Sequence, residues 1–312
     1  MNILVTGGAG FIASHVVDKL VAAGGSGTTG HHVAVLDNLT SGKRANVNQQ
    51  AIFHHIDIRD PAVEDILASF GAEVVIHHAA QTEVSRSAAN PALDADINII
   101  GSINLLEACR RRGVRKVIYA SSAAVYGTPQ CLPIDETHVV APLSGYGISK
   151  HTVEHYLAVY NSLYGLEYTV LRYANAYGIR QDPRVEGGVV SIFIDRLLQG
   201  KSCSIQGDGL QTRDFVYVTD IAEANVLALE ACNGDTLNIG TGKAVSVREL
   251  YDTMAGMFSE VRPVEYVAAR TGDIHDSCFD SHLARERLGW APQVSLAEGL
   301  QLTVDYYRSR LI

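Results

Sequence analysis

The 312-residue sequence predicts an α/β fold: a Rossmann-type doubly wound parallel sheet followed by a smaller α/β C-terminal domain. Two observations lead to this prediction. Over the first 178 residues, short and almost continuously apolar strands alternate with segments of helical apolar spacing, and a glycine-rich turn joins the first strand to the first helix. Strands of this kind are buried on both faces of a sheet, and their alternation with helices gives right-handed βαβ units.

The predicted elements follow one another in a regular order. Strands are predicted over residues 2–7, 32–37, 51–58, 74–80, 116–122 and 168–178, and helices over 11–24, 62–70, 96–113 and 149–165. Beyond residue 178, the polar segments 178–188 and 270–277 interrupt this order, while 214–231 again predicts a strand and a helix. We therefore expect one domain over 1–178, to which 214–240 returns, and a second domain mainly over 179–312. The small-residue segment 24–30 is expected to form a flexible loop.

The composition excludes several classes of function. The formal net charge is −9, with 47% hydrophobic and 19% charged residues, which argues against a surface for nucleic acid or for an anionic membrane. No apolar stretch approaches the ~20 residues of a membrane span, and the N-terminus lacks a signal-peptide pattern. The five cysteines form no C-x-x-C pair, which argues against a metal site or a disulfide framework and favours a reducing, cytoplasmic compartment.

The turn after the first predicted strand has the pattern of a phosphate-binding loop. In "VTGGAGFIAS", Gly7, Gly8 and Gly10 stand between a strand and a helix, and residues 8–13 have the form G-x-G-x-x-A. Glycine permits a tight turn and a close approach of the backbone, so that free N–H groups and the helix dipole can meet a pyrophosphate. The pattern alone is weak evidence, but its position between strand and helix is the one that dinucleotide binding requires.

Acidic residues at the ends of the next two strands suggest which dinucleotide binds. Asp37 ends the second strand, where a carboxylate accepts hydrogen bonds from the adenosine ribose and repels a 2′-phosphate, which favours NAD over NADP. Its distance from the glycines exceeds the usual ~20 residues, and the 24–30 segment accounts for the excess. Asp57 ends the third strand beside Ile58 and could reach the adenine. The alternative is that both carboxylates are ordinary surface aspartates.

Three further residues form a candidate acid–base centre. Tyr146 and Lys150 in "YGISK" lie four residues apart, so a helix places them on one face. A free phenol has a pKa of about 10, and a nearby ammonium together with a positive nicotinamide ring would favour the phenolate. Ser122, at the end of the strand in "SSAAVYG", could bond the same substrate hydroxyl. The alternative is a Tyr/Lys pair on the surface of an amphipathic helix.

Together with these features, motifs along nearly the whole chain resemble the extended short-chain dehydrogenase/reductases, and within them the nucleotide-sugar epimerases of the UDP-glucose 4-epimerase type. The motifs are "TGGAGFIASH", "VLDNLTSG", "HHAAQ", "SSAAVYG", "YGISK", "LRYANAYGIRQDP", "TRDFVYVTD", "NIGTG" and "RTGD". The resemblance implies that Ser122, Tyr146 and Lys150 are catalytic. It implies NAD contacts at Gly7, Gly10, Phe11, Ile12, Asp37, Asn38, Asp57, Ile58, Ala79, Ala80, Gln81, Asn98, Tyr146, Lys150 and Tyr173. It implies substrate contacts at Ser122, Tyr146, Asn175, Val189, Ser204, Gln206, Arg213, Arg270, Asp273 and Ser277.

The residues after Ser122 narrow the expected reaction. In similar sugar dehydratases and decarboxylases, acidic residues follow this position, whereas Ala123 and Ala124 stand here and cannot transfer a proton. The resemblance therefore implies transient oxidation at C4 of a UDP-sugar, with UDP-glucose and UDP-galactose as the expected pair. The small Ser277 would leave room for N-acetylated sugars as well. A 4-epimerase for UDP-glucuronate or UDP-xylose, and a non-catalytic NAD-binding regulator or scaffold, stay open as alternatives.

The resemblance also implies how the diphosphate is held and how the chain assembles. Arg213 and Arg270 match two arginines that bind the substrate diphosphate, although Arg213 could instead pair with a neighbouring aspartate, Asp214 or Asp220. The helices predicted over 96–113 and 149–165 match a pair that forms a homodimer interface. Apolar residues suited to that interface are Ile100, Leu105, Tyr156 and Tyr160, although core packing explains some of them equally well.

Overall fold

The computed structural model of the chain describes residues 1–23, 31–185, 188–269 and 274–310. The strands are β1 (Asn2–Thr6), β2 (His32–Asp37), β3 (Ile52–His55), β4 (Val74–His77), β5 (Lys116–Ser122), β6 (Glu167–Tyr173), β7 (Asn175–Tyr177), β8 (Ser204–Gln206), β9 (Thr212–Tyr217), β10 (Asp235–Ile239), β11 (Ala244–Ser246) and β12 (Glu265–Val267). The helices are α1 (Phe11–Ala22), α2 (Val63–Phe70), α3 (Val84–Ala89), α4 (Pro91–Ala95), α5 (Gly101–Arg112), α6 (Gly145–Tyr164), α7 (Val189–Leu198), α8 (Val218–Leu227), α9 (Val247–Ala255), α10 (His282–Leu288) and α11 (Leu296–Arg308). The loop predicted at 24–30 lies outside the described residues.

Seven strands form the central sheet in the order β10-β6-β5-β4-β1-β2-β3, and every neighbouring pair is parallel. This confirms the predicted doubly wound fold. The chain runs from β1 outward to β2 and β3, and then returns to the other side of β1 with β4. The strand order therefore reverses next to β1, and ligands of such sheets bind in the crevice at the carboxyl ends of the strands at this point.

Both faces of the central sheet are buried, as the apolar strands predict. In β1, Ile3 and Val5 belong to the core on the face that α1 and α8 cover, while Leu4 belongs to the core on the face of α2, α5 and α6. This alternation is the two-residue period of a strand. Leu105 and Tyr160, expected at a subunit interface, are instead 0% and 7% exposed and belong to the second of these cores. For these two residues the interface expectation was wrong and the alternative of core packing holds, because each helix has one face in the core and another at the surface.

The structure corrects three element boundaries. The strand predicted over 168–178 is two strands, because β6 ends at Tyr173 beside β10 and β7 pairs with β9 in another sheet. The helix predicted over 96–113 begins as a π-helix over Asp96–Ile100 and continues as α5. Helix α6 begins four residues earlier than predicted, where the Ser144 hydroxyl accepts a hydrogen bond from Gly147 N at 3.1 Å. Tyr146 consequently lies in the first turn of α6.

The C-terminal part contains two small sheets, β11-β9-β7 and β12-β8. Helices α7, α9 and α11 enclose a separate apolar core with these strands, in which Phe193, Tyr251 and Leu300 are almost completely buried. Strand β9 belongs to a small sheet and β10 to the edge of the large one. The division of the chain into two domains stays a prediction. No helix among the described residues is both long and apolar enough to span a bilayer.

Candidate active site

The turn between β1 and α1 forms a cradle of backbone. Gly7 has φ +70°, and a Cβ added there would lie 2.8 Å from the backbone N of Ala79, so a side chain would meet main-chain atoms that cannot move aside. Gly10 precedes α1, and no side chain caps the N–H groups of the first turn. Unpaired N–H groups together with the positive end of the helix dipole suit an anionic ligand such as a pyrophosphate.

Asp37 at the end of β2 is fixed by the loops around it. Its carboxylate accepts hydrogen bonds from Ala9 N at 3.0 Å and from Leu39 N at 2.8 Å. Burial raises the pKa of this carboxyl, and the two backbone donors oppose the change. The side chain is 6% exposed, and its remaining exposed surface faces the cavity described below.

Asp57 lies in the loop after β3 and is held by charge. Arg59 donates to it from Nε at 2.8 Å and from Nη2 at 2.9 Å, and Asn38 donates from Nδ2 at 2.7 Å. The Arg59 guanidinium keeps the pKa of this carboxyl well below its usual range. A carboxylate with these partners stays ionised at neutral pH.

One cavity of about 460 Å³ connects the glycine cradle with the candidate acid–base centre. It runs along the carboxyl ends of the central strands. Of the residues predicted to contact NAD or to be catalytic, those that line it are Gly7, Gly10, Phe11, Ile12, Asp37, Asn38, Asp57, Ile58, Ala79, Ala80, Gln81, Ser122, Tyr146, Lys150 and Tyr173. The cavity is long and has a backbone cradle beside a carboxylate. Its residues therefore fit an extended dinucleotide that carries a diphosphate.

Ser122, Tyr146 and Lys150 meet at one end of this cavity. The Ser122 side chain lies close enough to the Tyr146 hydroxyl to lower the pKa of the phenol, and its Oγ accepts a hydrogen bond from Ala124 N at 3.2 Å. Lys150 Nζ donates to Ala120 O at 2.8 Å and lies 6.0 Å from the centre of the Tyr146 ring. The helical spacing of four residues and the end of β5 thus bring all three side chains to the same place.

Burial has the largest effect on the pKa values of Tyr146 and Lys150. It raises the pKa of Tyr146 to about 12, which the Ser122 side chain opposes. It lowers the pKa of Lys150 to about 8, against the opposing influence of the carboxylates of Asp94 and Glu154. The phenol of the protein alone is therefore protonated at neutral pH. Additional positive charge close to the ring would favour its ionised form.

His78 is a cavity residue that the sequence prediction missed. It lies in the loop after β4, its ring stacks on Tyr173 with centroids 5.9 Å apart, and its Nε2 lies 3.1 Å from the Tyr173 hydroxyl. That hydroxyl also accepts a hydrogen bond from Asn225 Nδ2 at 2.8 Å. Burial and the nearby Lys150 lower the pKa of His78 to about 3, so the imidazole is neutral. Its place between His77 and Ala79, beside predicted NAD contacts, was the available signal.

Asn98 is placed differently from the other predicted cofactor residues. It is 2% exposed in the π-helical segment, behind the residues that line the cavity. Its Oδ1 accepts from Gln81 N at 2.8 Å, and its Nδ2 donates to Gln81 O at 3.0 Å. The side chain thus fixes the backbone of a cavity residue. Direct contact of Asn98 with a cofactor stays a prediction.

Two of the substrate residues predicted by resemblance, Ser122 and Tyr146, line this cavity, whereas the other described ones lie in the C-terminal part, outside its lining. Arg213 on β9 donates from Nη1 to Thr212 O at 2.8 Å and to His275 O at 3.0 Å. Ser277 is 9% exposed and donates from its backbone N to Thr212 O at 3.2 Å, which places it beside Arg213. The remaining described members are Asn175 on β7, Val189 at the start of α7, and Ser204 and Gln206 on β8. Arg270 and Asp273 lie outside the described residues.

The two aspartates considered as structural partners of Arg213 have other roles. Asp214 accepts from Thr241 N at 2.8 Å and from Gly242 N at 3.0 Å. Asp220 accepts from the backbone N of Gln293 and of Val294, each at 3.1 Å. Both carboxylates therefore tie loops of the C-terminal part together. Among the described residues, no group of three or more His, Cys, Asp or Glu side chains is arranged to hold a metal ion.

Comparison with known proteins gives consistent matches over the whole chain. Residues 3–240 match the model of the NAD dependent epimerase/dehydratase family. A UDP-glucose 4-epimerase from Mycolicibacterium smegmatis is 44% identical over 317 residues, which cover 99% of each chain. The crystal structure of a UDP-glucose 4-epimerase from Thermotoga maritima with UDP-glucose superimposes with a TM-score of 0.95 at 46% identity and covers 100% of both chains. A UDP-glucose 4-epimerase from Thermus thermophilus, in complex with NAD, has a TM-score of 0.90 at 42% identity over 99% of both chains.

Proposed function

This chain belongs to the NAD dependent epimerase/dehydratase family, and from that premise we propose that it interconverts UDP-glucose and UDP-galactose by transient oxidation at C4 of the sugar. The observation that carries the proposal is the single cavity that joins the glycine cradle to Ser122, Tyr146 and Lys150. A cofactor bound along the cradle would end beside Ser122, Tyr146 and Lys150, which are able to exchange a proton with a sugar hydroxyl.

Each of the three side chains has a distinct task in the proposed reaction. Tyr146 takes the proton from the C4 hydroxyl and returns it, while Ser122 holds the same oxygen by a hydrogen bond. Lys150 supplies the positive charge that favours the phenolate of Tyr146. NAD, when bound, supplies the acceptor and donor of hydride. Gly7, Gly10 and the other predicted cofactor residues of the cavity would hold it. Because oxidation and reduction cancel, the cofactor is expected to stay bound between turnovers.

The residues beside Ser122 support epimerisation over elimination. Ala123 and Ala124 form a 3₁₀ turn over Ala123–Val125 directly after β5, and both methyl groups are partly buried. A methyl group cannot accept or donate a proton. A dehydratase needs an acid and a base at the sugar besides the C4 hydroxyl chemistry. At this position the chain offers neither, so a keto sugar formed here can only be reduced again.

For the substrate, we infer that Arg213 and Arg270 bind the diphosphate and that Asn175, Val189, Ser204, Gln206 and Asp273 contact the nucleotide sugar. A guanidinium forms two parallel hydrogen bonds with a phosphate. Two well-placed arginines can therefore hold a diphosphate although the net charge of the chain is −9. Ser277 is small and adjoins the strand of Arg213. Its size supports the additional turnover of UDP-N-acetylglucosamine and UDP-N-acetylgalactosamine.

We further propose that the protein is a cytoplasmic homodimer. The cysteines of the described residues are free thiols, which suits a reducing compartment. Apolar side chains on the outer surface of the π-helical segment and α6 are exposed, among them Ile100 at 55%, Ile148 at 53%, Val159 at 48% and Leu163 at 65%. Several exposed apolar side chains on two helical segments support a protein–protein interface there. Light scattering at micromolar concentration is expected to give the mass of a dimer, and a single monomeric species would contradict it.

The decisive test of the function is incubation of the purified protein with UDP-galactose without added NAD. Formation of UDP-glucose, followed by NMR of the anomeric protons, is the expected result. NAD released on denaturation should approach one molecule per chain. UDP-glucuronate and the two UDP-N-acetylhexosamines are tested in parallel. Conversion of UDP-glucuronate alone, or no conversion of any UDP-sugar by NAD-loaded protein, would contradict the proposal.

A further inference from the structure

We propose that Asp94 is a positioning residue for the proposed epimerisation: its carboxylate fixes the side chain of Gln81 in the cofactor cavity and provides the negative charge that balances Lys150. The inference rests on the proposed function for its main readout. Asp94 was not among the predicted site residues and does not line the cavity. It lies in α4, one helical turn before Asn98, and is 2% exposed.

Hydrogen bonds connect Asp94 with both walls of the cavity. Its Oδ1 accepts from Gln81 Nε2 at 2.8 Å and from Asn98 Nδ2 at 3.2 Å. The same Asn98 Nδ2 lies 3.1 Å from Ser149 Oγ, which donates to the backbone O of Tyr146 at 3.0 Å. Asp94 Oδ1 therefore holds the Gln81 side chain in the loop after β4. Through the Asn98 amide and the Ser149 hydroxyl, the same oxygen is also connected to the first turns of α6. The π-helical segment that follows α4 is what directs Asn98 toward this group.

The charge of Asp94 is not neutralised by its hydrogen-bond partners. Both are amides, and no lysine or arginine in the described part of the chain forms an ion pair with it. Glu154 is the other carboxylate that acts on Lys150, and Arg172 binds it through Nη2 at 2.6 Å and through Nε at 3.0 Å. Most of the charge of Glu154 is therefore compensated by its neighbour. Both carboxylates favour the charged form of Lys150, and Asp94 is the one of the two that is hydrogen-bonded only to amides.

The consequence is a defined dependence of catalysis on pH. The titratable and charged groups that act on Lys150 come from several elements: Tyr119, Tyr146, Asp94, Glu154, His77 and His78. Both histidines have a pKa of about 3 and are neutral, and the pKa of Tyr146 is about 12. Lys150, with a pKa of about 8, loses its proton within the range from pH 6 to 10. Removing the negative charge of Asp94 lowers the pKa of Lys150 further, so the ammonium is lost at lower pH.

The test compares kcat against pH for the NAD-loaded wild type and three variants. Asp94→Asn keeps the shape and removes the charge, Asp94→Glu keeps the charge, and Asp220→Asn is a control with a buried structural carboxylate in α8. For Asp94→Asn, the fall of kcat at high pH should move to lower pH by about one unit, since a nearby charge shifts a buried group by at least that much. In Asp94→Glu, the fall of kcat should return to the pH at which it occurs in the wild type. In Asp220→Asn, the Tm should be lower, but the pH at which kcat falls should be unchanged.

Several outcomes would overturn the inference. An unchanged basic limb in Asp94→Asn, accompanied only by lost NAD or a lower Tm, assigns Asp94 a purely structural role. An equal shift in Asp220→Asn shows that the effect is not specific to Asp94. If the wild type converts no UDP-sugar, the proposed function fails. The protonation of Lys150 can then still be measured without catalysis, by its reaction with an acylating reagent. Acetylation of Lys150 by acetic anhydride, located by peptide mass spectrometry, should begin at lower pH in Asp94→Asn, and identical pH dependence in both proteins contradicts the inference.

Discussion

Replacing Tyr146 by phenylalanine removes a single oxygen atom from the centre of the candidate site. That oxygen is close to the Ser122 side chain, which lowers the pKa of the phenol, and it belongs to a ring that lines the cavity. Loss of a positioned general acid and base costs about 10²–10⁴-fold in rate, or about 3–5 kcal/mol of barrier. The loss in folding stability should be only about 1 kcal/mol, the net contribution of one hydrogen bond. Epimerase activity should therefore fall by that factor while the fold and the bound NAD are kept.

The assay measures conversion of UDP-galactose by NMR, NAD content after denaturation, and the Tm of the same preparation. Tyr251→Phe is a matched control, since Tyr251 is 5% exposed in the C-terminal core and its hydroxyl donates to Arg262 O at 3.3 Å. The control should lose a similar amount of stability and keep the wild-type rate. If Tyr146→Phe retained activity within about tenfold of the wild type, less than general acid–base catalysis supplies, Tyr146 would not be the base.

Three further changes test other parts of the structure. Arg213→Ala should raise the KM for UDP-galactose about 10–100-fold, because the loss of a hydrogen bond to a charged group costs about 1.5–3 kcal/mol of binding free energy. An unchanged KM would show that this residue is not part of the diphosphate site. Ser277→Tyr should abolish turnover of UDP-N-acetylgalactosamine and spare UDP-galactose, whereas a wild type inactive on the N-acetyl sugar contradicts the idea. Burial alone would raise the pKa of Glu154, but hydrogen bonds from His151 and Arg172 bring it from 4.5 to about 2. The folding stability contributed by the ion pair of Glu154 and Arg172 is complete above pH 4.5 and is lost as the pH falls toward 2. Glu154→Gln should lower the free energy of unfolding at pH 7 by about 3–5 kcal/mol and should reduce its fall between pH 4.5 and 2, as measured by urea titration. An unchanged fall would show that Glu154 is not the group responsible for it.

Local pattern was sufficient to predict the central sheet and the cofactor end of the site. The strands are apolar on both faces, which only a sheet covered by helices on each side satisfies, and every parallel strand ends at the same edge. A residue at the end of such a strand, such as Ser122 at the end of β5, is therefore carried to that edge by the fold alone. The spacing of Tyr146 and Lys150 then needs only a helix to bring them together.

The parts that sequence reasoning missed depend on contacts between distant segments. In "PALDADINII", no local pattern marks Asp94 as a site residue, and its position becomes informative only when the fold places Asn98, in the π-helical segment, and Gln81, in the loop after β4, beside it. The break between β6 and β7 has a similar cause, because the apolar run 168–178 continues while its pairing partner changes from β10 to β9. Neither pairing partner is encoded within the segment itself.

The preference for NAD illustrates how one residue serves folding and recognition together. Asp37 receives backbone N–H groups from the glycine turn and from its own loop, so its carboxylate is already oriented when the cradle is folded. A Cβ added at Gly42 would lie 2.8 Å from Asp37 Oδ1, which shows how closely the following loop packs against the carboxylate. A side chain confined in this way cannot rotate aside to admit a 2′-phosphate. We therefore predict that the protein prefers NAD to NADP without a separate repelling group, because the carboxylate expected to repel a 2′-phosphate is also the one that holds the cradle in shape.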